Sequence, residues 1–436
     1  MAEVSPALPQ NAEGRRRPSI RELIQDTEVD VRLFGMVLAL IAILVGFELA
    51  DNRRFLSPDN LVTLSVQTAT VAIIATGMVM VIVARNIDLS VGSIVGVVAM
   101  SYALLMTEIL PGILPLGHPL MWLVALGLGL LIGAVIGGIQ GFIIAYVGVP
   151  SFVVTLGGLL IFRGITWVLS SGASVAGLDD TFRLLGGGSL GSLGGTASWA
   201  VGIILCVGIV ALIVYNRRRR RSFGFQVRPS WAEALVAVAG CAVTLFLVGI
   251  ANSNFWPRPL AARYAEENGI VVPEGGLLIP SGIPWPLIVL LLVTILMTFV
   301  AKRTRFGRYV FAIGGNPDAA ELAGINTRWT IMKTHILIGV LCAISAAIAA
   351  ARLNSATLDV GSGYELYVIA AAVIGGTSFA GGIGTIPGAI LGALVMQSLA
   401  FGLAFMGLSS PVQNIAAGIV LVIAVGFDSW NRRRGT

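Results

Sequence analysis

Asn86-Ile87-Asp88-Leu89-Ser90-Val91-Gly92-Ser93 sets one carboxylate, one amide and two hydroxyls among apolar residues and a glycine. Such groups can exchange hydrogen bonds with a small hydroxylated ligand moving past them. On that reading Asn86, Asp88, Ser90, Gly92 and Ser93 line or gate a path. The other reading is structural: Asp88 and Ser90 satisfy the orphan N–H groups of a helix that starts near Leu89. A second group is Gly375-Gly376-Thr377 with Gly381, Gly382 and Gly384, on either side of Phe379. So many glycines imply a broken helix or a close backbone approach beside a transport route, or else a flexible turn between two helices. Arg163, Glu233 and Glu48 are isolated charges in or beside apolar runs. Arg163 reads as snorkelling near an outer end and Glu233 as lying near an inner end, and neither as a ligand for a substrate.

Lys302–Arg328, KRTRFGRYVFAIGGNPDAAELAGINTR, carries a different chemistry. It is polar and basic, and it lies between two apolar runs, so it must emerge at a surface. Lys302, Arg303, Arg305 and Arg308 abut the preceding run, which marks the cytoplasmic side. After Gly314 and Gly315, the stretch Asn316-Pro317-Asp318-Ala319-Ala320 reads as the start of a short helix. Asn316 is the N-cap, proline takes the first position, acids fill the first turn, and Gly324 closes the end ahead of Ile325. A short capped helix presented to the cytoplasm offers a surface to a partner.

The elements that position these groups are set by apolar length. Only 11% of the 436 residues are charged and 56% are hydrophobic, whereas a soluble chain carries roughly a quarter charged residues. The expectation is an all-α polytopic membrane protein of about 10–12 spans, each needing roughly 20 apolar residues. The spans read Val31–Ala50, Leu61–Ala84, Leu89–Leu110, Leu120–Val147, Pro150–Ser170, Trp199–Tyr215, Trp231–Ile250, Ile283–Ala301, Thr330–Ala351, Leu366–Phe379, Ile386–Met406 and Val412–Phe427. With residues 1–30 as a disordered cytoplasmic tail, twelve crossings put Arg217–Arg221, the Lys302–Arg308 cluster and Arg432–Arg434 all inside, the last in a basic tail over 431–436. Arg53 and Arg54 fall outside and count against this. Leu366–Phe379 is short, and a re-entrant course there would break the parity, so a full or nearly full crossing is expected. Glycines at four-residue spacing, Gly92/Gly96, Gly133/Gly137/Gly141 and Gly384/Gly388/Gly392, suit close helix packing. The likeness of Gly92–Met100 to Gly388–Met396 hints at an internal repeat.

Several classes are excluded. Neither lysine, Lys302 or Lys333, follows a glycine, so the chain has no ATP-binding loop. It also lacks an H-E-x-x-H pair and a G-x-S-x-G turn. Cys206, Cys241 and Cys342 lie within apolar runs and read as small membrane-helix residues, and His118 and His335 stand apart, so no metal is expected. The net charge of +6 reflects topology, since the basic clusters lack the aromatic interleaving of a nucleic-acid surface.

The residues also carry a resemblance. Asn86–Ile94, NIDLSVGSI, resembles the signature of the bacterial sugar permeases of ATP-binding-cassette importers, the ribose, xylose, arabinose and galactose group. Gly307–Pro317, GRYVFAIGGNP, is similar to that family's cytoplasmic loop, and Asp318-Ala319-Ala320 with Gly324 resembles its E-A-A-x-x-x-G coupling motif. Ala371–Gly392 is similar to a third signature, and the resemblance runs from Val31 to Trp430. The segment from Arg217 to about Ser281 departs from the ribose type and looks like the xylose branch, as an inserted hairpin over 216–282 within a permease domain of 31–430.

The resemblance implies a non-catalytic permease subunit in the bacterial inner membrane, importing a monosaccharide such as D-xylose. It implies a separate ATP-binding subunit docked on the loop 302–329, so the chain itself needs no cofactor. A periplasmic sugar-binding protein would dock outside, on Ser171–Ala197, Asn252–Ser281 or Arg352–Glu365, and a second copy would complete the path. An ion-coupled carrier or channel working alone is the other class; it would place carboxylates or histidines deep in several spans.

Overall fold

The computed structural model describes residues 31–50, 54–115, 117–225, 227 and 229–435. The tail 1–30, Arg53 and the side chains of the terminal basic cluster lie outside the described residues. Hydrocarbon offers no hydrogen bonds, so each apolar run closes its own backbone as a helix. The helices are α1 (Val31–Ala50), α2 (Pro58–Val83), α3 (Val91–Leu104), α4 (Met121–Phe142) and α5 (Ser151–Leu169). A π turn at Leu105–Ile109 prolongs α3, and another at Ile143–Val147 prolongs α4. After strand β1 (Val175–Ala176) come α6 (Asp180–Arg183), α7 (Gly195–Ser222), α8 (Ser230–Asn252), α9 (Arg258–Glu267) and α10 (Trp285–Arg303). Then follow α11 (Arg305–Gly315), α12 (Pro317–Leu322), α13 (Thr327–Leu353), strand β2 (Ser355–Ala356), α14 (Tyr364–Ile374), α15 (Ile386–Phe405) and α16 (Ser410–Gly435). Among the described residues, ten helices are long and apolar enough to cross a membrane.

Burial ranks them. The most apolar window of α2 is 94% buried, and those of α7 and α8 are each 11% buried. The centre of the molecule is therefore α2, α3 and α13, and α1, α7 and α8 stand at the edge. α2 and α13 are pinned to each other by Ser345 Oγ, which donates to the Thr70 carbonyl at 2.9 Å. Glycine stripes permit the close contacts. On α4, a Cβ at Gly133 or Gly137 would collide with the Gly339 or His335 carbonyl of α13, and on α15 Gly388 and Gly392 meet the Gly375 and Ala371 carbonyls.

The tenth expected span is shorter than Leu366–Phe379 suggests. α14 has 11 residues, about 16 Å at 1.5 Å per residue, or half of a bilayer core. The remainder of that crossing is made without a helix. β2 pairs with β1 beyond the end of α5, and the chain then passes down through turns at Thr357–Tyr364. The carbonyls of Val360 and Gly361 rest on Gly96 and Gly92 of α3.

A similar non-helical stretch precedes α3, which is itself long enough to cross. α2 ends at Val83, the non-helical stretch Arg85–Ser90 turns back beside α5, where Ser151 Oγ accepts from Ile87 N–H at 3.2 Å, and the helix resumes at Val91. The non-helical stretches before α3 and before α14 meet at Gly92 and Gly361. α7 and α8 pack chiefly on one another as a helical hairpin, Gly195–Asn252, whose second arm lies within the segment expected as an insert over 216–282. Arg217 and Glu233 form an ion pair between its two arms, so Glu233 is structural. Glu48 is too: its carboxylate accepts from Leu56 N–H at 2.7 Å.

Candidate functional site

The loop between α10 and α13 folds as its residues dictate. Thr304 caps α11 by accepting from Gly307 N–H at 3.1 Å. Asn316 caps α12 by accepting from Ala319 N–H at 3.0 Å, with Pro317 in the first position. Gly324 ends α12 in the left-handed region, φ +80°, where a side chain would be strained, and Ile325 N–H returns to the Ala320 carbonyl at 3.0 Å. Ala320 faces inward, while Asp318, Ala319, Glu321 and Leu322 face out. Leu322 is 90% exposed, an apolar side chain held at the tip of a capped helix.

The loop is fastened to the bundle by Arg85, a residue that the sequence analysis passes over. Arg85 has φ +63°, and its guanidinium donates to the carbonyls of Gly314 at 2.8 Å and Gly315 at 2.9 Å. A Cβ on Gly314 would collide with the Val83 carbonyl and the Gly382 amide, whereas one on Gly315 would meet nothing. Gly382 N–H donates to Val83 O at 3.0 Å. The glycine turn Gly375–Gly384 is thereby brought to the loop between α10 and α13: Gly381 and Gly382 pack on Gly314 and Arg85, Gly384 packs on Val83 and Val79, and Gly375 packs on Gly388. Gly376, Gly381 and Gly382 take positive φ here, and Thr377 is buried beneath them with Oγ1 lacking a hydrogen-bond partner. The signal that could have found Arg85 is its position, one residue past a buried helix and one before the polar signature.

Asp88 lies three residues beyond Arg85 on the same non-helical stretch and is fully buried. Its Oδ1 accepts from Ser90 N–H at 2.8 Å and from Ser90 Oγ at 2.6 Å, so it secures the entry to α3. Ser90 itself makes no capping bond to α3. Gln140 of α4 donates to Ser90 Oγ at 2.9 Å, Ser93 Oγ donates to the Ser90 carbonyl at 2.8 Å, and Asn86 folds back on the Ala84 carbonyl at 2.9 Å. Asp88 Oδ2 and His335 Nε2 of α13 are buried without a hydrogen-bond partner, which leaves spare polar capacity inside the bundle. Arg163 is half-buried on α5 and forms no ion pair with a described carboxylate, and Glu365 Oε2 of α14 abuts Gly92. Gln140, His335 and Glu365 escaped the sequence reading because each stands singly in its run, and only the tertiary fold gathers them.

The expected outer docking loops also differ from one another. In Ser171–Ala197, Phe182 is fully buried with its ring 5.3 Å from Tyr102, and Gly186 packs on the backbone of Ala351 and Arg352. That part of the loop plugs the bundle. Asn252–Ser281 carries α9 and leaves Val271 89% exposed.

A family model described as the permease component of branched-chain amino acid transport systems matches residues 60–425. The chain is 34% identical over 406 residues to the xylose transport system permease protein of Haemophilus influenzae, covering 93% of this chain and 98% of that one. It is 35% identical over 410 residues to the protein of the same description in Escherichia coli K12, covering 93% and 94%. It is 30% identical over 396 residues to the ribose import permease protein of Escherichia coli K12, covering 90% and 92%. No solved structure matches the chain.

Proposed function

Since the chain belongs to the family of permease components of branched-chain amino acid-type transport systems, we propose that it is the membrane-spanning subunit of an ATP-driven monosaccharide importer. D-xylose is the proposed cargo, because the relatives at 34–35% identity over nearly their whole length are described as xylose transport permeases. The membrane is the bacterial inner membrane. A periplasmic binding protein delivers the sugar, a separate ATPase docks on the cytoplasmic loop, and two copies of this chain surround the path. The chain is not catalytic.

One observation carries the mechanism: α12 and the buried Asp88 segment are physically continuous through Arg85. Closure of an ATP-loaded partner against Leu322, Glu321 and Asp318 presses on α12. Gly314 and Gly315 transmit that push to the Arg85 guanidinium, and Arg85 lies on the same non-helical stretch as Asn86, Asp88 and Ser90. Because that stretch lacks helical hydrogen bonds, it bends where a helix would resist. Movement there displaces the start of α3 against the start of α14 at Gly92 and Gly361; the helices on either side are read here as inverted repeats, which alternate access at such a joint. The glycine turn 375–384 rests on the same knot and gives the second unit an equal share of the push.

The test is reconstitution in liposomes with the ATPase and the binding protein. The expected outcome is uptake of D-xylose that requires ATP, the binding protein and this chain together. Uptake that persists without the ATPase, driven by an ion gradient, overturns the reading in favour of a carrier that uses Asp88 and His335.

A further inference from the structure

The half of the molecule opposite the coupling loop holds a polar cavity of about 740 Å³ that the coupling route does not use. Gln67 of α2 and Gln397 of α15 line it, with Tyr364 and Tyr367 from the start of α14, Arg352 from the last turn of α13, and Asp359 from the turns that lead to α14. Gln67 lies nine residues below the outer end of α2 and Gln397 eleven residues above the inner end of α15, about 13 Å and 16 Å at 1.5 Å per residue. Both therefore lie at hydrocarbon depth. Gln397 is 8% exposed. The side chains of Gln67, Gln397, Tyr364 and Tyr367 make no hydrogen bond to any described residue. Amides and phenols left unsatisfied against lipid cost several kcal/mol each, so this surface faces water or a polar ligand.

We propose that this cavity is the outward-facing sugar site of the permease. Gln67 and Gln397 exchange hydrogen bonds with hydroxyls of a monosaccharide, and the rings of Tyr364 and Tyr367 cover its C–H face. The volume falls within the roughly 300–1,000 Å³ of small-molecule pockets. Amides and phenols both donate and accept, which suits a neutral polyhydroxylated ligand, and the opposite charges of Arg352 and Asp359 on the same lining leave it with no net charge from these two. The floor is the break itself. Tyr364 follows Gly363, whose φ is +77°, and Glu365 abuts Gly92 behind it, so an occupant rests on the joint between the two repeats. The inference rests on the sugar-importer reading and adds to it where the sugar first binds.

The experiment uses the full complex in spheroplasts. Gln67→Cys and Gln397→Cys are treated from outside with a charged, membrane-impermeant methanethiosulfonate, and adducts are located by mass spectrometry. Ile203→Cys on the lipid-facing surface of α7 serves as the unreactive control. The expected result is modification at both positions, slowed at least threefold by D-xylose with its binding protein. Absence of modification in the complex, with modification of the separated chain, overturns the proposal and assigns the groove to contact between copies. Modification that sugar leaves unchanged overturns it as well. Should either variant fail to accumulate, Tyr367→Phe, which removes one hydroxyl, is expected to lower maximal ATP-driven xylose uptake at least fivefold, and unchanged uptake overturns the assignment. If the unmodified complex shows no ATP-driven uptake, it is the importer reading that has failed.

Discussion

Replacing Arg85 by alanine isolates the fastening between the coupling loop and the Asp88 segment. The guanidinium makes two charge-assisted bonds, at 2.8 and 2.9 Å, to adjacent carbonyls. Bonds of that kind contribute about 1.5–3 kcal/mol each when buried. Arg85 is exposed, so solvent competition reduces the pair to about 1–3 kcal/mol in total. That loss lowers the docked fraction of the loop roughly 5- to 150-fold. Alanine also keeps the positive φ, which costs about 1–2 kcal/mol for a residue with a Cβ. Arg85→Gly removes that cost and the bonds together, and Arg85→Lys offers a point charge in place of a planar fork. The assay is the ratio of xylose moved to ATP hydrolysed in proteoliposomes, beside thermal unfolding of the purified complex. Arg85→Ala is expected to lower the ratio at least fivefold, Arg85→Gly to restore stability without restoring the ratio, and Arg85→Lys to fall between. A wild-type ratio in Arg85→Ala refutes the route from α12 to Asp88.

Gly314→Ala forces a Cβ into the Val83 carbonyl and the Gly382 amide, so it should abolish accumulation of the folded protein, while its neighbour Gly315→Ala should stay within about 0.5 kcal/mol of wild type; quantitative membrane immunoblots check both. Ser90→Ala strips Gln140 Nε2 of its partner and should cost about 1–3 kcal/mol, read as a lower unfolding midpoint. Asp88→Asn keeps an oxygen for Ser90 N–H and should fold normally with reduced uptake; full transport by both variants removes the path-lining role. Arg217→Ala leaves Glu233, whose side chain is 14% exposed, without its cation, at a cost of about 1–3 kcal/mol. Adding Glu233→Ala should recover most of that loss in a thermal-shift measurement.

The long spans were legible because hydrocarbon enforces a single rule, continuous apolar length, and the start of α12 was legible because capping chemistry is local to a few residues. The break before α3 could be seen only as a polar interruption. Nothing in Arg85–Ser90 tells a surface turn from a chain that turns back into the bundle, since the choice depends on Ser151, Gln140 and Gly361 from distant segments. For the same reason α14 reads as a weak full span: its missing half is supplied by Thr357–Gly363, whose polarity suggests a loop. Gly315 was an easy residue to single out, yet Gly314 makes the contact, because which of two adjacent glycines faces Val83 depends on the phase of α11. The Asp88 site was half visible. Its hydroxyl partner is two residues away, and its amide partner, Gln140, is 50 residues from Ser90.

The pinning of α2 to α13 also constrains how the protein is made. Ser345 reaches Thr70 across 275 residues, and Tyr102 reaches the Ala343 carbonyl across 241. Helices of the first repeat therefore enter the membrane long before their partners are synthesised. In that interval Asp88, Ser90 and the non-helical stretch beside them have no second repeat to enclose them, and their polar groups must be met by water at the membrane surface or by an insertion factor. The turns at Thr357–Tyr364, which rest on Gly92, can close over that stretch only after α13 has been made. A chain that stops after α8 presents an unfinished, polar-flanked core to lipid, which marks it for degradation.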